Sequence, residues 1–259
     1  MTDDDRKQRE ALFHDQAYTD HGRERLWSSY YSVVESSRRF YEEYLKARSP
    51  GADILEYGSG LASMAFPLAD HGAASVTGID ISPVAVEAGN KRAQAEGYQQ
   101  VSFRVMDAEA MDFDSDTFDL VCGTSIIHHL DLRPSFTEIG RVVRPGGSAI
   151  FVEPLGHNPL INLYRRNTPA LRTPDEHPLR MSDLELASEF FYRVRCRFVH
   201  LTSLAAVPFR GWSGFTSLVR ALDRFDRALF RVAPPMRRYA WQAVIELSEP
   251  KALSADTVK

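Results

Sequence analysis

Three groups of residues in the first half of the chain have the types and spacing of a nucleoside cofactor site. Glu56-Tyr57-Gly58-Ser59-Gly60 follows an apolar run. Its glycines let the backbone turn tightly and come close to a ligand, and the amides that open the next helix favour anionic groups. Asp80 stands 22 residues after Gly58, at the end of the next apolar run. A carboxylate there can accept hydrogen bonds from both hydroxyls of a ribose. Alone, this pair fits a dinucleotide as well as any other adenosine cofactor. Three further features divide the alternatives. The third glycine of the dinucleotide fingerprint would fall at position 63, which is serine. Glu56 sets a carboxylate just before the turn, where a pyrophosphate would be unwelcome. Asp107-Ala108 offers a short acidic turn able to hold an adenine amino group. Together these suit a cofactor with a cationic methionyl part and no phosphate.

A second set of residues can move protons. His128 and His129 follow the fourth apolar run, and imidazole titrates close to neutrality. Either can act as a base or simply order its loop. Glu153 and His157 follow the fifth run; they can bind substrate, work as an acid–base pair through a water, or form a salt-bridged loop beneath the arginines of 165–180. His177, between Pro174 and Pro178, reads as a loop staple. No metal set is legible: Asp131 lies near the fourth run without partners, and Cys122 and Cys196 have no metal spacing.

The elements that must position these groups alternate along the chain. Residues 1–50 read as helical up to the stop at Ser49-Pro50-Gly51. Strands are expected at Ile54–Tyr57, Val76–Ile81, Val101–Val105, Phe118–Cys122 and Ser148–Val152. Between them lie helices from Leu61 to His71, after the N-cap pair Ser82-Pro83, and from Pro134 to Val143. This alternation is the signature of a parallel sheet with helices on both faces, and it sets the ends of the strands as the ligand edge. Beyond Pro154 the pattern changes. Residues 155–180, rich in proline and arginine, look like an irregular ordered loop. Ser182-Asp183-Leu184-Glu185 opens a helix as a capping box, Arg193–Thr202 alternates as a strand, and Tyr239–Leu247 reads as the last strand.

Five motifs in this order resemble a class I S-adenosylmethionine-dependent methyltransferase: ILEYGSG, GIDIS, VMDAEAMDF, FDLVCGTSIIHHL and EIGRVVRPGGSAIFVEP. The resemblance covers about residues 53–154. It implies a Rossmann-like, seven-stranded, mostly parallel sheet whose last strand inserts antiparallel beside the fifth. It implies S-adenosyl-L-methionine as cofactor. Glu56, Gly58, Ser59 and Gly60 would line its methionine and ribose, and Asp80 would bind the ribose hydroxyls with Ile81 against the adenine. Asp107 and Ala108 would meet the adenine edge, and Gly123 and Thr124 would pass the methionyl end. An N-terminal helical lid over residues 1–50 is implied as well, with Tyr18, Tyr30 or Tyr31 closing the pocket. Residues 51–203 and 239–250 would form the cofactor-binding core. Residues 204–238 would be a helical insertion serving as a substrate cover, and 251–259 a tail.

Composition bounds the reading. Of the 259 residues, 44% are hydrophobic and 25% charged, which excludes disordered, collagen-like and disulfide-scaffold proteins. No apolar stretch is long enough for a transmembrane helix. The opening MTDDDRKQRE lacks the apolar region of a secretory signal, so a cytoplasmic protein is expected. The net charge of −4 divides into −10 for residues 1–130 and +6 for 131–259. Within 204–238, seven arginines interleave with Trp212, Phe215, Phe225 and Phe230, a pattern that suits a substrate lid, a membrane-surface helix or a homodimer contact. Nucleic acid is disfavoured by the overall acidity and by Thr124-Ser125-Ile126-Ile127, which stands where base-methylating members carry an Asn/Asp-Pro-Pro-aromatic tetrad. The expected activity is methyl transfer to a small molecule, O-methylation before C or N, in specialised metabolism. Two alternatives are a membrane-associated lipid or quinone methyltransferase and a non-catalytic cofactor-binding regulator.

Overall fold

The computed structural model describes residues 3–19, 32–61, 63–169, 172–173 and 175–252. Strands β1 (Asp53–Tyr57), β2 (Ser75–Asp80), β3 (Val101–Val105), β4 (Phe118–Thr124), β5 (Val143–Pro154), β6 (Phe191–Val199) and β7 (Gln242–Pro250) form one seven-stranded sheet. Its order is β3-β2-β1-β4-β5-β7-β6. All neighbours are parallel except β7, which runs antiparallel to both β5 and β6. This is the Rossmann-like methyltransferase arrangement, with the last strand inserted beside the fifth.

The central strands are mostly apolar because both faces are covered. Successive side chains point to opposite faces. Leu55, Tyr57 and Val121 therefore join one core with Phe136, Ile139, Phe151 and Phe190, while Ile54, Leu120 and Cys122 join the other with Leu45, Phe66 and Ile150. Helices α2 (Glu35–Arg48), α3 (Ala65–Asp70) and α4 (Pro83–Glu96) cover the second face; α5 (Leu132–Val142) and α7 (Met181–Phe190) cover the first. Helix α2 buries Tyr41, Tyr44 and Leu45 in this core, whereas α1 (Asp3–Thr19) reaches the ligand edge.

Local signals explain most boundaries. The Ser82 side chain accepts from the Ala85 amide with Pro83 at the first turn, and Gly97 at φ +80° ends α4. Three expectations need correction. Residues 155–180 are not wholly irregular: α6 (Pro159–Asn167) starts where Asn158 accepts from the amides of Leu160 and Ile161. Helix α7 starts before Ser182, and Asp183 reaches back to the Arg180 amide at 2.7 Å. The last strand begins at Gln242, because Pro234–Tyr239 forms a 3-10 turn.

The late insertion is built on α8 (Phe215–Val232), seated by buried carboxylates. Asp226 accepts from the amides of Leu201 and Thr202, each at 2.9 Å. His200, at φ +64° and fully buried, meets the Ser37 hydroxyl at 2.9 Å. Among the described residues no helix is long and apolar enough to cross a membrane.

Candidate active site: a cofactor crevice beneath a helical strap

In the sheet order, β1 lies between β2 and β4, so the connections leave in opposite directions and open a crevice at the strand ends. The turn after β1 folds back over β2. The amides of Gly58 and Ser59 both donate to the Ile79 carbonyl, at 3.0 and 2.9 Å. Gly58 sits at φ +75°, and a Cβ there would lie 2.7 Å from the Ile126 side chain, so glycine is required on both counts. Gly123 on β4 is required by close approach: its Cβ would fall 2.6 Å from the Tyr57 carbonyl.

Asp80 ends β2 and is nearly buried. One of its oxygens accepts from the Gly60 amide at 2.8 Å and the other from the Ser82 amide at 2.9 Å. It thus ties the glycine turn to the start of α4, and lone pairs remain for a ligand diol. Ile81 beside it is half-buried, and Thr124 at the end of β4 is exposed. The Asp107 carboxylate accepts from the Glu109 amide at 2.8 Å, and the Ala108 carbonyl is held by the Tyr57 hydroxyl. The Ser59 hydroxyl is buried without a protein partner.

Glu56 differs from its expected role. Its carboxylate turns away to the start of α3, accepting from the Ser63 hydroxyl and from the amides of Met64 (2.6 Å) and Ala65 (3.2 Å). Burial pushes it up to about 7, against the pull of those donors. The helix start that would bind pyrophosphate is filled by the protein's own carboxylate, while the glycine turn, Asp80 and the Asp107-Ala108 turn lie along the same edge of the sheet.

Helix α1 lies across this edge as a strap. Arg6 grips both oxygens of Glu109 at 2.7 Å and donates to the His129 carbonyl at 2.9 Å. Lys7 pairs with Asp107 at 2.8 Å, Arg9 with Asp175 at 2.8 Å, and Asp15 accepts from the Ser82 hydroxyl. These contacts span the ends of β2, β3 and β4. The side chain of Tyr18, and Tyr30 and Tyr31 entirely, lie outside the described residues.

His128 is buried with its Nδ1 2.7 Å from Glu153, whose other oxygen accepts from the amides of Ile126 (2.9 Å) and Ile127 (3.0 Å). Burial disfavours the charge on each partner, raising Glu153 to about 7 and lowering His128 to about 3. When Glu153 is ionised, the consistent tautomer carries the proton on Nδ1 and leaves Nε2 as an acceptor. His129 points to the strap instead, its Nδ1 3.2 Å from Glu10. His157 is not brought to Glu153: its charged neighbours are Arg238, Arg180 and Asp183, and burial lowers its pKa. The staple expected around His177 is present, since the His177 amide donates to the His128 carbonyl at 2.9 Å. Sequence reasoning missed Glu10, His14, Glu109 and Glu176. Only the Glu10/His14 spacing of four on one helix was a usable signal.

Residues 54–147 match a protein family described as a methyltransferase domain. The chain is thus similar to S-adenosylmethionine-dependent methyltransferases. Over 108 residues, 40% of this chain and 49% of the relative, it is 33% identical to the aklanonic acid methyltransferase of Streptomyces sp. (strain C5). Over 126 residues, 48% of this chain and 60% of the relative, it is 33% identical to the phosphatidylethanolamine N-methyltransferase of Cereibacter sphaeroides. The chain thus matches about half of the length of these curated relatives. The methyltransferase fold extends further than the sequence match. Phosphoethanolamine N-methyltransferase 2 of Haemonchus contortus, solved with S-adenosyl-L-methionine, aligns with a TM-score of 0.59 at 16% identity, over 86% of this chain and 56% of that one. The [4+2]-cyclase SpnF aligns at 0.56 and 18% identity, over 83% and 82%.

Proposed function

We propose that this methyltransferase domain transfers a methyl group from S-adenosyl-L-methionine to a small organic acceptor beneath the α1 strap. The observation that carries this is the carboxylate of Glu56 seated on the start of α3, which leaves a phosphate-free adenosyl crevice between the glycine turn, Asp80 and Asp107-Ala108. When bound, the cofactor supplies an electrophilic methyl group on a neutral-leaving sulfide. The protein's part is alignment and exclusion of water. Gly58, Ser59 and Gly60 would take the methionyl end, Asp80 the ribose hydroxyls, Ile81 and Ala108 the adenine faces and edge, and Gly123 and Thr124 the side nearest the acceptor. His128, oriented by Glu153, would accept a hydrogen bond from a hydroxyl acceptor at Nε2 and align it for transfer. Relatives named for aklanonic acid and for tocopherol support a small-molecule acceptor.

A lipid or quinone acceptor is the second reading. On α8, Arg220, Arg224, Arg227 and Arg231 form an exposed stripe beside exposed Phe225 and Val232, with Trp212 exposed ahead of the helix. That pairing of basic and apolar surface suits an anionic interface, and phosphatidylethanolamine and quinone methyltransferases are among the relatives. The test is transfer of a labelled methyl group from the cofactor into organic-soluble cell extract, with and without anionic vesicles. Label in a small-molecule fraction, lost at least tenfold in His128→Ala, is the expected result. Cofactor binding with no transfer to any fraction would replace the enzyme by a regulatory binding protein.

A further inference from the structure

The strap and the core meet at a set of side chains that methyl transfer does not use. Glu10 and His14 lie one turn apart on α1 and share a face; His129 comes from the turn after β4. The three ligand atoms all lie within 4.8 Å of one another. Glu10 Oε2 is 3.2 Å from His129 Nδ1 and 3.5 Å from His14 Nε2. Both Glu10 Oε2 and His129 Nδ1 are buried with no well-formed hydrogen bond beyond their contact with each other, and the Glu10 side chain is only 6% exposed.

These separations lie at and beyond the long end of hydrogen-bond distances. The neighbouring His128–Glu153 contact shows what an imidazole–carboxylate bond looks like in this protein, at 2.7 Å. They match instead the edge between two ligands of a tetrahedral ion, which is about 3.3 Å when each bond is about 2.0–2.1 Å. The other Glu10 oxygen accepts from the Thr173 hydroxyl, so the carboxylate is already oriented as a ligating carboxylate is. Arg6, Arg9 and Lys7 hold the same helix in place without entering the set.

We propose that Glu10, His14 and His129 bind a divalent transition-metal ion, zinc by its preference for nitrogen and carboxylate donors in four-coordinate sites. Two ligands ride on the strap and one on the core, so the ion fastens α1 over the crevice. The fourth position is left for a water or an acceptor oxygen. Glu176, which groups with His128 and His129 at similar distances, stands beside it. The site depends on the packing of α1 against the turn after β4 and is independent of the methyl-transfer reading.

The test uses the full chain, stripped with a chelator and titrated with zinc by calorimetry and with cobalt(II) by visible absorption. One equivalent of zinc and the intense visible bands of a four-coordinate cobalt site are expected. Glu10→Gln and His14→Ala should each weaken binding at least tenfold, while His71→Ala, at the exposed end of α3, should leave it unchanged. Absence of binding, or binding equally strong in Glu10→Gln and His14→Ala, would overturn the proposal. His14 lies on a partly exposed helix face, so its removal does not threaten folding. Neither cofactor nor acceptor is present, so failure here would leave the methyl-transfer reading standing.

Discussion

Glu56 places two physical effects in direct opposition, and its replacement by Gln decides between them. Its carboxylate is buried, which favours the neutral acid, yet three donors at the start of α3 favour the anion. Burial wins: the pKa rises from 4.5 to about 7. The folded state therefore holds this proton more tightly than the unfolded chain. The resulting stability is fully present below about pH 4.5 and is lost as the pH rises through about 7. A shift of that size corresponds to about 3 kcal/mol. Gln cannot titrate, and the groups whose shifts Glu56 adds to, Tyr41 and Cys122, are held by burial above the pH range of the experiment. In urea denaturation, the stability of the parent minus that of Glu56→Gln should fall between pH 5 and pH 8 by up to about 3 kcal/mol. The changed hydrogen bonding of the amide offsets this difference by a constant and does not alter its slope. A difference that stays flat would show that the α3 amides cancel the burial cost. A difference that rises with pH would show that they exceed it, and would refute the reasoning outright.

Two further perturbations probe the crevice and the insertion. Gly58→Ala forces an L-residue to φ +75° and drives its methyl to 2.7 Å from Ile126, so cofactor affinity should fall at least tenfold and the melting temperature should drop; an unchanged calorimetric affinity would mean that the turn is not part of the site. Asp226→Ala leaves the part-buried amides of Leu201 and Thr202 without their carboxylate acceptor, and a loss of about 1–3 kcal/mol in urea denaturation is expected; a loss below about 0.5 kcal/mol would mean that water replaces the carboxylate.

The central strands were legible because burial on both faces demands unbroken apolar runs such as Ile54–Leu55 and Val121–Cys122. Ser82-Pro83 announced α4 by local chemistry, and Asn158-Pro159 carried the same signal for α6, obscured by the surrounding prolines and arginines. The glycine turn, Asp80 and Asp107-Ala108 stand together because each ends a parallel strand at one edge of the sheet. The partners of Glu56, His128 and His129 were not legible. Whether Glu56 faces the ligand or α3 depends on a turn eight residues later, and Glu153 could meet either His128 or His157 until β5 was placed. Helix α1 is polar on most of its surface, so no apolar periodicity places it. Its position is set by ion pairs with Glu109, Asp107 and Asp175, whose meeting only the folded chain reveals.

Calorimetry with S-adenosylhomocysteine and with NAD, on the parent chain and on Asp80→Ala, tests the adenosyl crevice most directly. Tight one-to-one binding of S-adenosylhomocysteine, none of NAD, and a severe loss in Asp80→Ala are predicted. Binding of NAD, or an affinity for S-adenosylhomocysteine that ignores Asp80, would contradict the assignment of this site.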